Sequence, residues 1–378
     1  MKWPTFSLEE VASVQRGKFS ARPRNDPKYY GGDIPFIQTG DVAKSTGFVR
    51  SYIQTLNTEG LSVSKLFPRG SLAITIAANI GDVAQVDFDF ACPDSLVVAQ
   101  AKNGICIDWL RYCLQNKKET LERLAPQNAQ KNINLEVLRP LPLDVPPFQE
   151  QEKIAAVLLA WDRAIDLTER LLTEKRLCRK GLMQQLLTGK RRLPGFGKPA
   201  VGDNLPKGWQ RPKTEEIFQN ISRKNRSGET VLSVTQDEGV VPRDSLDRKI
   251  NMDQEKTHTY KLVKPGDFVI SLRSFQGGLE YSRHRGLVSP AYHVIRAKVD
   301  VSDDFYRHYF KSPEFIQRLA IATIGIRDGK QISYGDFSFM RLPVPPVKEQ
   351  HAISEVINQV DRELGLLQAS GSRFELTY

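Results

Sequence analysis

Two stretches of the chain carry the spacing of a helix with a single apolar stripe. From Phe148 to about Thr188 there is no proline, and Gly181 is the only glycine. Apolar residues fall there at Ile154, Leu158, Trp161, Ile165 and Leu172, with Thr168 between the last two. Steps of four and three make a coiled-coil seam, so one helix is expected over 148–188. The same register returns 199 residues later at Ile353, Ile357, Val360, Leu364 and Leu367. Neither helix can bury its stripe alone. The expected solution is an antiparallel pair within one chain, with Ile154, Leu158, Trp161 and Ile165 meeting Ile353, Ile357, Val360 or Leu364. The alternative is that each helix packs on its own globular part. Lys175 and Arg179 interrupt the first seam, and Gly371 is expected to cut the second helix short.

The displacement of 199 belongs to a repeat that runs through the whole sequence. Val145-Pro146-Pro147, Glu150-Gln151 and Asp162-Arg163 return as Val344-Pro345-Pro346, Glu349-Gln350 and Asp361-Arg362. Lys131-Asn132-Ile133-Asn134 matches Lys330-Gln331-Ile332-Ser333 at the same offset. Asp108-Trp109-Leu110-Arg111 matches Asp304-Phe305-Tyr306-Arg307 at 196, and Trp3 with Glu9-Glu10 matches Trp209 with Glu215-Glu216 at 206. Collinear matches mean duplication of one module, a globular part followed by a helix. The expected domains are 1–145, a helix at 146–190, a linker at 191–205, a second globular part at 206–344 and a short helix at 345–378. Gly189 ends the first helix, and Pro194-Gly195-Phe196-Gly197 reads as linker.

The globular parts read as mixed α and β. Ser71–Ile76 and Asp267–Leu272 are β-rich runs after a glycine turn, and amphipathic helices are expected over Asp108–Leu124 and Asp304–Ala322. The fold class expected is therefore α+β: two tandem, pseudo-repeated mixed domains joined by long helices that form an intrachain antiparallel coiled coil.

Composition adds a partner class. A net charge of +10 favours a polyanion. Eight basic residues and no acidic one lie between Lys175 and Lys198, a stretch that reads as a solvated face or as one turned to DNA or a partner subunit. Cys92, Cys106, Cys113 and Cys178 have neither CxxC nor metal-ligand spacing, which fits reduced thiols in a cytoplasmic protein. No apolar run is long enough for a membrane span and Met1-Lys2-Trp3-Pro4 is no signal peptide, so no membrane association is expected.

Strings that resemble catalytic motifs fail on inspection. Asp144-Val145-Pro146-Pro147-Phe148 has a valine where a methyltransferase turn needs the acid next to the prolines. Pro93-Asp94 with Gln100-Ala101-Lys102 lacks the second carboxylate of a nuclease metal site. Gly325–Lys330 lacks the Walker spacing and its Ser or Thr. His258, His284, His293, His308 and His351 form no HxH or HxxxH pair. The chain is read as non-catalytic, with no catalytic residue, no metal site and no cofactor of its own. The rival classes are a stand-alone nuclease or methyltransferase and a coiled-coil scaffold that binds protein only.

Two diverged modules, each followed by a better-matched helix opening Pro-Pro-x-x-Glu-Gln, resemble the specificity subunits of type I restriction–modification systems. The resemblance rests on Pro146–Ile154 with Leu186-Leu187-Thr188-Gly189-Lys190, on Pro345–Gln350, on Gly32–Ile37 and on Leu232–Pro242. It implies an antiparallel coil that recruits two methylation subunits, with motor-nuclease subunits in the full complex. S-adenosylmethionine, ATP and Mg would then belong to those partners. It also implies that each module reads one half of a bipartite, asymmetric target on double-stranded DNA. A related adaptor of another DNA-modification defence system is the alternative.

Base reading needs Arg, Lys, Asn or Gln at groove depth, and neighbouring cations for phosphates. In the first module the candidates are Arg16, Lys18, Arg22, Arg24, Lys28, Asn79, Gln127, Asn128 and Lys131. In the second they are Arg223, Lys224, Arg226, Arg273, Gln276, Arg327, Lys330 and Gln331.

Overall fold

A computed structural model describes residues 2–377 apart from 78, 126–131, 203, 225, 227, 237, 247–257, 271–276 and 324–333. The chain divides into two compact units, residues 1–164 and 165–378. Mixed α/β modules and long helices are both present, as expected for the fold class.

The first module is built on a five-stranded sheet in the order Ala12–Arg16, Leu96–Ala101, Leu72–Thr75, Val83–Val86, Phe48–Val49. Its pairs are antiparallel except the last. Alternate side chains point to opposite faces, and both faces are apolar. Leu72, Ile74, Val97 and Ala99 pack with Trp109, Leu110 and Leu114 of the covering helix. Ala73, Leu96 and Val98 turn the other way, toward Ile37, Val49 and Phe90. The expected helix over Asp108–Leu124 is two helices, Ile107–Asn116 and Lys118–Leu124, broken where Lys117 leaves the helical conformation.

The second module repeats this frame. Its sheet runs Phe218–Ile221, His293–Ala297, Phe268–Ile270, Glu280–Tyr281. Hydrogen bonds match pair by pair. Val145 N–H donates to Pro4 O at 2.8 Å, and Val344 N–H to Gln210 O at 2.8 Å. Lys102 N–H reaches Val11 O at 2.9 Å, and Lys298 N–H reaches Ile217 O at 2.8 Å. Gln151 Nε2 donates to Pro146 O at 2.9 Å, and Gln350 Nε2 to Pro345 O at 2.8 Å. The filling differs: Phe305, Tyr306 and Phe310 stand where the first module has Trp109, Leu110 and Leu114, so the second core is aromatic.

The prolines start a helix in both copies. Asp144 ends the strand Pro142–Asp144, pairs with Thr5 in register and accepts its hydroxyl at 2.6 Å. The first long helix spans Phe148–Leu186 and the second Val347–Thr377. The second runs through Gly371 instead of stopping there. A lone glycine costs a helix about 1 kcal/mol, which is not enough to end it. Gly371 lies beside Thr168, whose methyl carbon would be 3.9 Å from an added Cβ.

Lys175 is ion-paired with Glu363 and Arg179 with Asp361. One number rises as the other falls, so these helical segments are antiparallel. The cations that interrupt the seam are therefore matched by carboxylates on the facing helix. The partners differ from those expected. Ile353 and Ile357 share one buried cluster with Met183, Leu186 and Leu187. At about 1.5 Å per residue that end of the helix lies about 43 Å along it from Ile154. Ile154 instead packs, with Ala155, on the first module's own core. Each helix thus begins on its own module, and equal register did not mean mutual contact. Leu158, Trp161, Ile165 and Leu172 are half-buried, Val360 and Leu364 buried, and Leu367 half-buried.

Candidate nucleic-acid interface

The strand Ala12–Arg16 delivers its last residue to a loop that carries most of the first module's candidate cations. This loop is pinned to the segment around Asp94. Arg16 Nε donates to Asp94 O at 2.6 Å, and Arg24 Nη2 meets both Asp94 carboxylate oxygens at 2.9 and 3.0 Å. Asp94, the acid of the nuclease-like string, is therefore engaged in holding two arginines. Lys102 from the same string donates to Glu9 O at 2.6 Å.

Beside this loop lies a groove of about 740 Å³. Phe19, Tyr30 and Phe36 contribute an aromatic wall, and Arg24, Gln38, Lys44 and Gln54 a polar one. Gln38 Nε2 donates to Gln54 Oε1 at 3.0 Å, and Ile53 beside it is 88% exposed. An amide side chain suits an adenine edge, and an exposed aliphatic residue suits a thymine methyl. Sequence reasoning missed Gln38, Lys44 and Gln54. The available signal was Arg50-Ser51-Tyr52-Ile53-Gln54, polar and apolar together from the end of one short strand to the first residue of the next. Of the residues expected, Arg24 lines the groove. Lys18, Arg22 and Lys28 are exposed outside its lining, and Asn79 sits on an exposed turn between Leu72–Thr75 and Val83–Val86.

In the second module Arg223, Lys224 and Arg226 are exposed just after the strand Phe218–Ile221, the place that Arg16 and Lys18 hold in the first. Lys261 lies close to them, bonded to Tyr292 O at 2.6 Å. Burial, and then the charge of Lys224, push its ammonium below the usual lysine range. Gln127, Asn128, Lys131, Arg273, Gln276, Arg327, Lys330 and Gln331 lie outside the described residues.

A second basic cleft, about 560 Å³, includes Arg179, Arg283, Arg307 and Lys311. Most of its cations have internal partners. Arg307 Nε donates to Asp304 at 2.8 Å, Lys311 bonds Glu280 at 2.6 Å, and Arg179 pairs with Asp361. Arg192, also from the basic stretch, is buried against Glu349 at 2.6 Å. For Lys175, Arg179 and Arg192 the structure thus replaces the reading of a surface turned outward. Among the described residues no group of His, Cys, Asp and Glu is arranged to hold a metal ion, and no helix is long and apolar enough to cross a membrane.

Residues 1–174 match the family described as type I restriction modification DNA specificity domain. The putative type I restriction enzyme MjaX specificity subunit of Methanocaldococcus jannaschii is 24% identical over 381 residues, covering 95% of this chain and 87% of the relative. The MjaVIII specificity subunit of the same organism is 22% identical over 312 residues, 74% of this chain and 70% of that one. The crystal structure of a type I restriction–modification S subunit from M. genitalium superposes with a TM-score of 0.59 at 14% identity, covering 99% of this chain and 93% of the other. A structure described as showing complex assembly and conformational transition of the type I system gives 0.57 at 18% identity, covering 100% and 94%.

Proposed function

We propose that this chain is a specificity subunit of a type I restriction–modification system, which reads a bipartite, asymmetric sequence on double-stranded DNA and directs partner subunits to it. The observation that carries the reading is one hydrogen-bonded frame built twice with different exposed side chains. The first module presents Arg24, Gln38, Lys44 and Gln54 around an aromatic groove, and the second presents Arg223, Lys224 and Arg226 next to Lys261. Shared backbone with unlike reading groups suits two unlike half-sites. The long helices would present similar surfaces to two methylation subunits, and motor-nuclease subunits would complete the assembly. S-adenosylmethionine, ATP and Mg would act on those partners in the cytoplasm, and this chain would supply no chemistry. Fluorescence anisotropy with duplex DNA, together with the methylation partners, tests the reading. Affinity should fall steeply as salt rises, since phosphate contacts release counterions. Affinity independent of salt would contradict it.

A further inference from the structure

One place in the repeated frame is filled in the first module and open in the second. Arg111 is 1% exposed, and its guanidinium lies 4.6 Å from the centre of the Phe48 ring and 4.0 Å from that of Tyr112. Two rings thus enclose one cation, with the Asp162 carboxylate 3.6 Å away. At the repeat offset of 196, Arg307 and His308 stand for Arg111 and Tyr112. Strand pairing finds the counterpart of Phe48. Phe48 lies opposite Gln85, which lies opposite Leu72. In the second module Val240 bridges Ser282, which sets Gly239 opposite Tyr281, and Tyr281 lies opposite Phe268. Leu72 and Phe268 are also 196 apart, so Gly239 holds the place of Phe48. Glycine supplies no ring, and His308 is bonded instead to Asn358 at 2.7 Å.

What stands in place of those rings is the basic cleft of about 560 Å³, a size that suits a small organic ligand. Arg307 lines it with Gly239, Leu279, Tyr281, Arg283 and Lys311. Arg307 Nε donates to Asp304 at 2.8 Å and Nη2 to Asn358 at 2.6 Å. Those bonds occupy much of the guanidinium edge and leave its flat face for stacking. Arg283 is exposed and has no ion pair or hydrogen bond among the described residues. The cleft therefore lacks a flat ring and carries an uncommitted cation. A nucleoside phosphate brings a ring and an anion together. An aromatic side chain of a protein would bring the ring alone and leave Arg283 without a counter-charge.

We propose that this cleft binds a nucleoside phosphate, with the base over Arg307, as Phe48 lies over Arg111, and the phosphate on Arg283. The inference rests on the repeated frame and not on DNA reading. The probes are the four common ribonucleoside 5′-monophosphates, each titrated into the full chain by calorimetry beside its nucleoside and inorganic phosphate. At least one nucleotide should bind saturably, and at least about tenfold more tightly than its nucleoside or phosphate alone, because stacking and a charge-assisted bond then act together. Arg283→Ala should remove most of the advantage over the nucleoside. Arg307→Lys keeps the charge but loses the planar face, and should weaken nucleotide and nucleoside alike by at least about fivefold. Arg283 is exposed, so its variant keeps the fold and carries the test even where circular dichroism shows that Arg307→Lys does not. No saturable binding up to millimolar nucleotide, phosphate bound as tightly as nucleotide, or nucleotide binding that Arg283→Ala leaves intact would overturn the proposal.

Discussion

Gln151 and Gln350 occupy the same bonded position in two different modules. Gln151 Oε1 accepts the backbone N–H of Cys106 at 2.8 Å, and Gln350 Oε1 accepts that of Ser302 at 2.8 Å. Both side chains are buried. The glutamine of each Pro-Pro-x-x-Glu-Gln string thus fastens a long helix to the N-cap of its module's covering helix. Gln151→Ala and Gln350→Ala should each cost about 1–3 kcal/mol, because each strands a backbone N–H and a carbonyl away from water. Urea denaturation of each variant checks this.

The antiparallel helix pair makes a second prediction. Lys175 and Glu363 are each about one-third exposed (34% and 36%), so solvent screens their bond and it adds little stability by itself. Lys175→Glu should lower the melting temperature by placing two carboxylates together, and so should Glu363→Lys by placing two ammonium groups together. The double reversal should recover most of either loss. If the double variant is only the sum of the two, the helices do not pair in this register.

The third concerns acid. His308 is buried, and burial, then the neighbouring Arg307, lower its pKa to about 4. Its Nε2 lies 2.7 Å from Asn358 Oδ1 on the second long helix, and Asp361 and Arg179 also act on it. An unfolded histidine titrates near 6.5, so the unfolded state binds the extra proton between about pH 6.5 and 4. The stability is fully present above that window and is lost as pH falls through it, by on the order of 2–3 kcal/mol. Urea midpoints should follow this slope in the native chain and flatten over the same range in His308→Gln.

Much of this architecture was legible in the sequence because backbone demands repeat with the backbone. Val145, Pro146 and Gln151 return as Val344, Pro345 and Gln350 since each makes the same bond in each module. The helix partners were not legible. A periodic stripe shows that a face is covered but not by what, and Ile353 packs with Met183 and Leu186. Lys175 and Arg179 looked like flaws in the seam until their carboxylates were placed opposite. Gln38 and Gln54 escaped notice for a different reason: sixteen residues apart in sequence, they meet only because their strands pair, Phe36 opposite Gln54.

The groove itself can be tested by substitution. Gln54→Ala should change the methylated sequence at one or two positions of a single half-site, at a cost of about 1–3 kcal/mol in discrimination there. Lys44→Ala should weaken DNA binding across sequences and reduce its salt dependence, as for a phosphate contact. Methylation sequencing and salt-dependent anisotropy separate the two effects.

Independent reading by two modules is the central claim, and the methylated motif of a chimera measures it most directly. Residues 1–140 are replaced by the corresponding part of a different specificity subunit, and the chimera is expressed with its methylation partners. The account predicts that one half-site changes and the other keeps its sequence. A motif in which both half-sites change together, or one that stays the same throughout in an active complex, would contradict it.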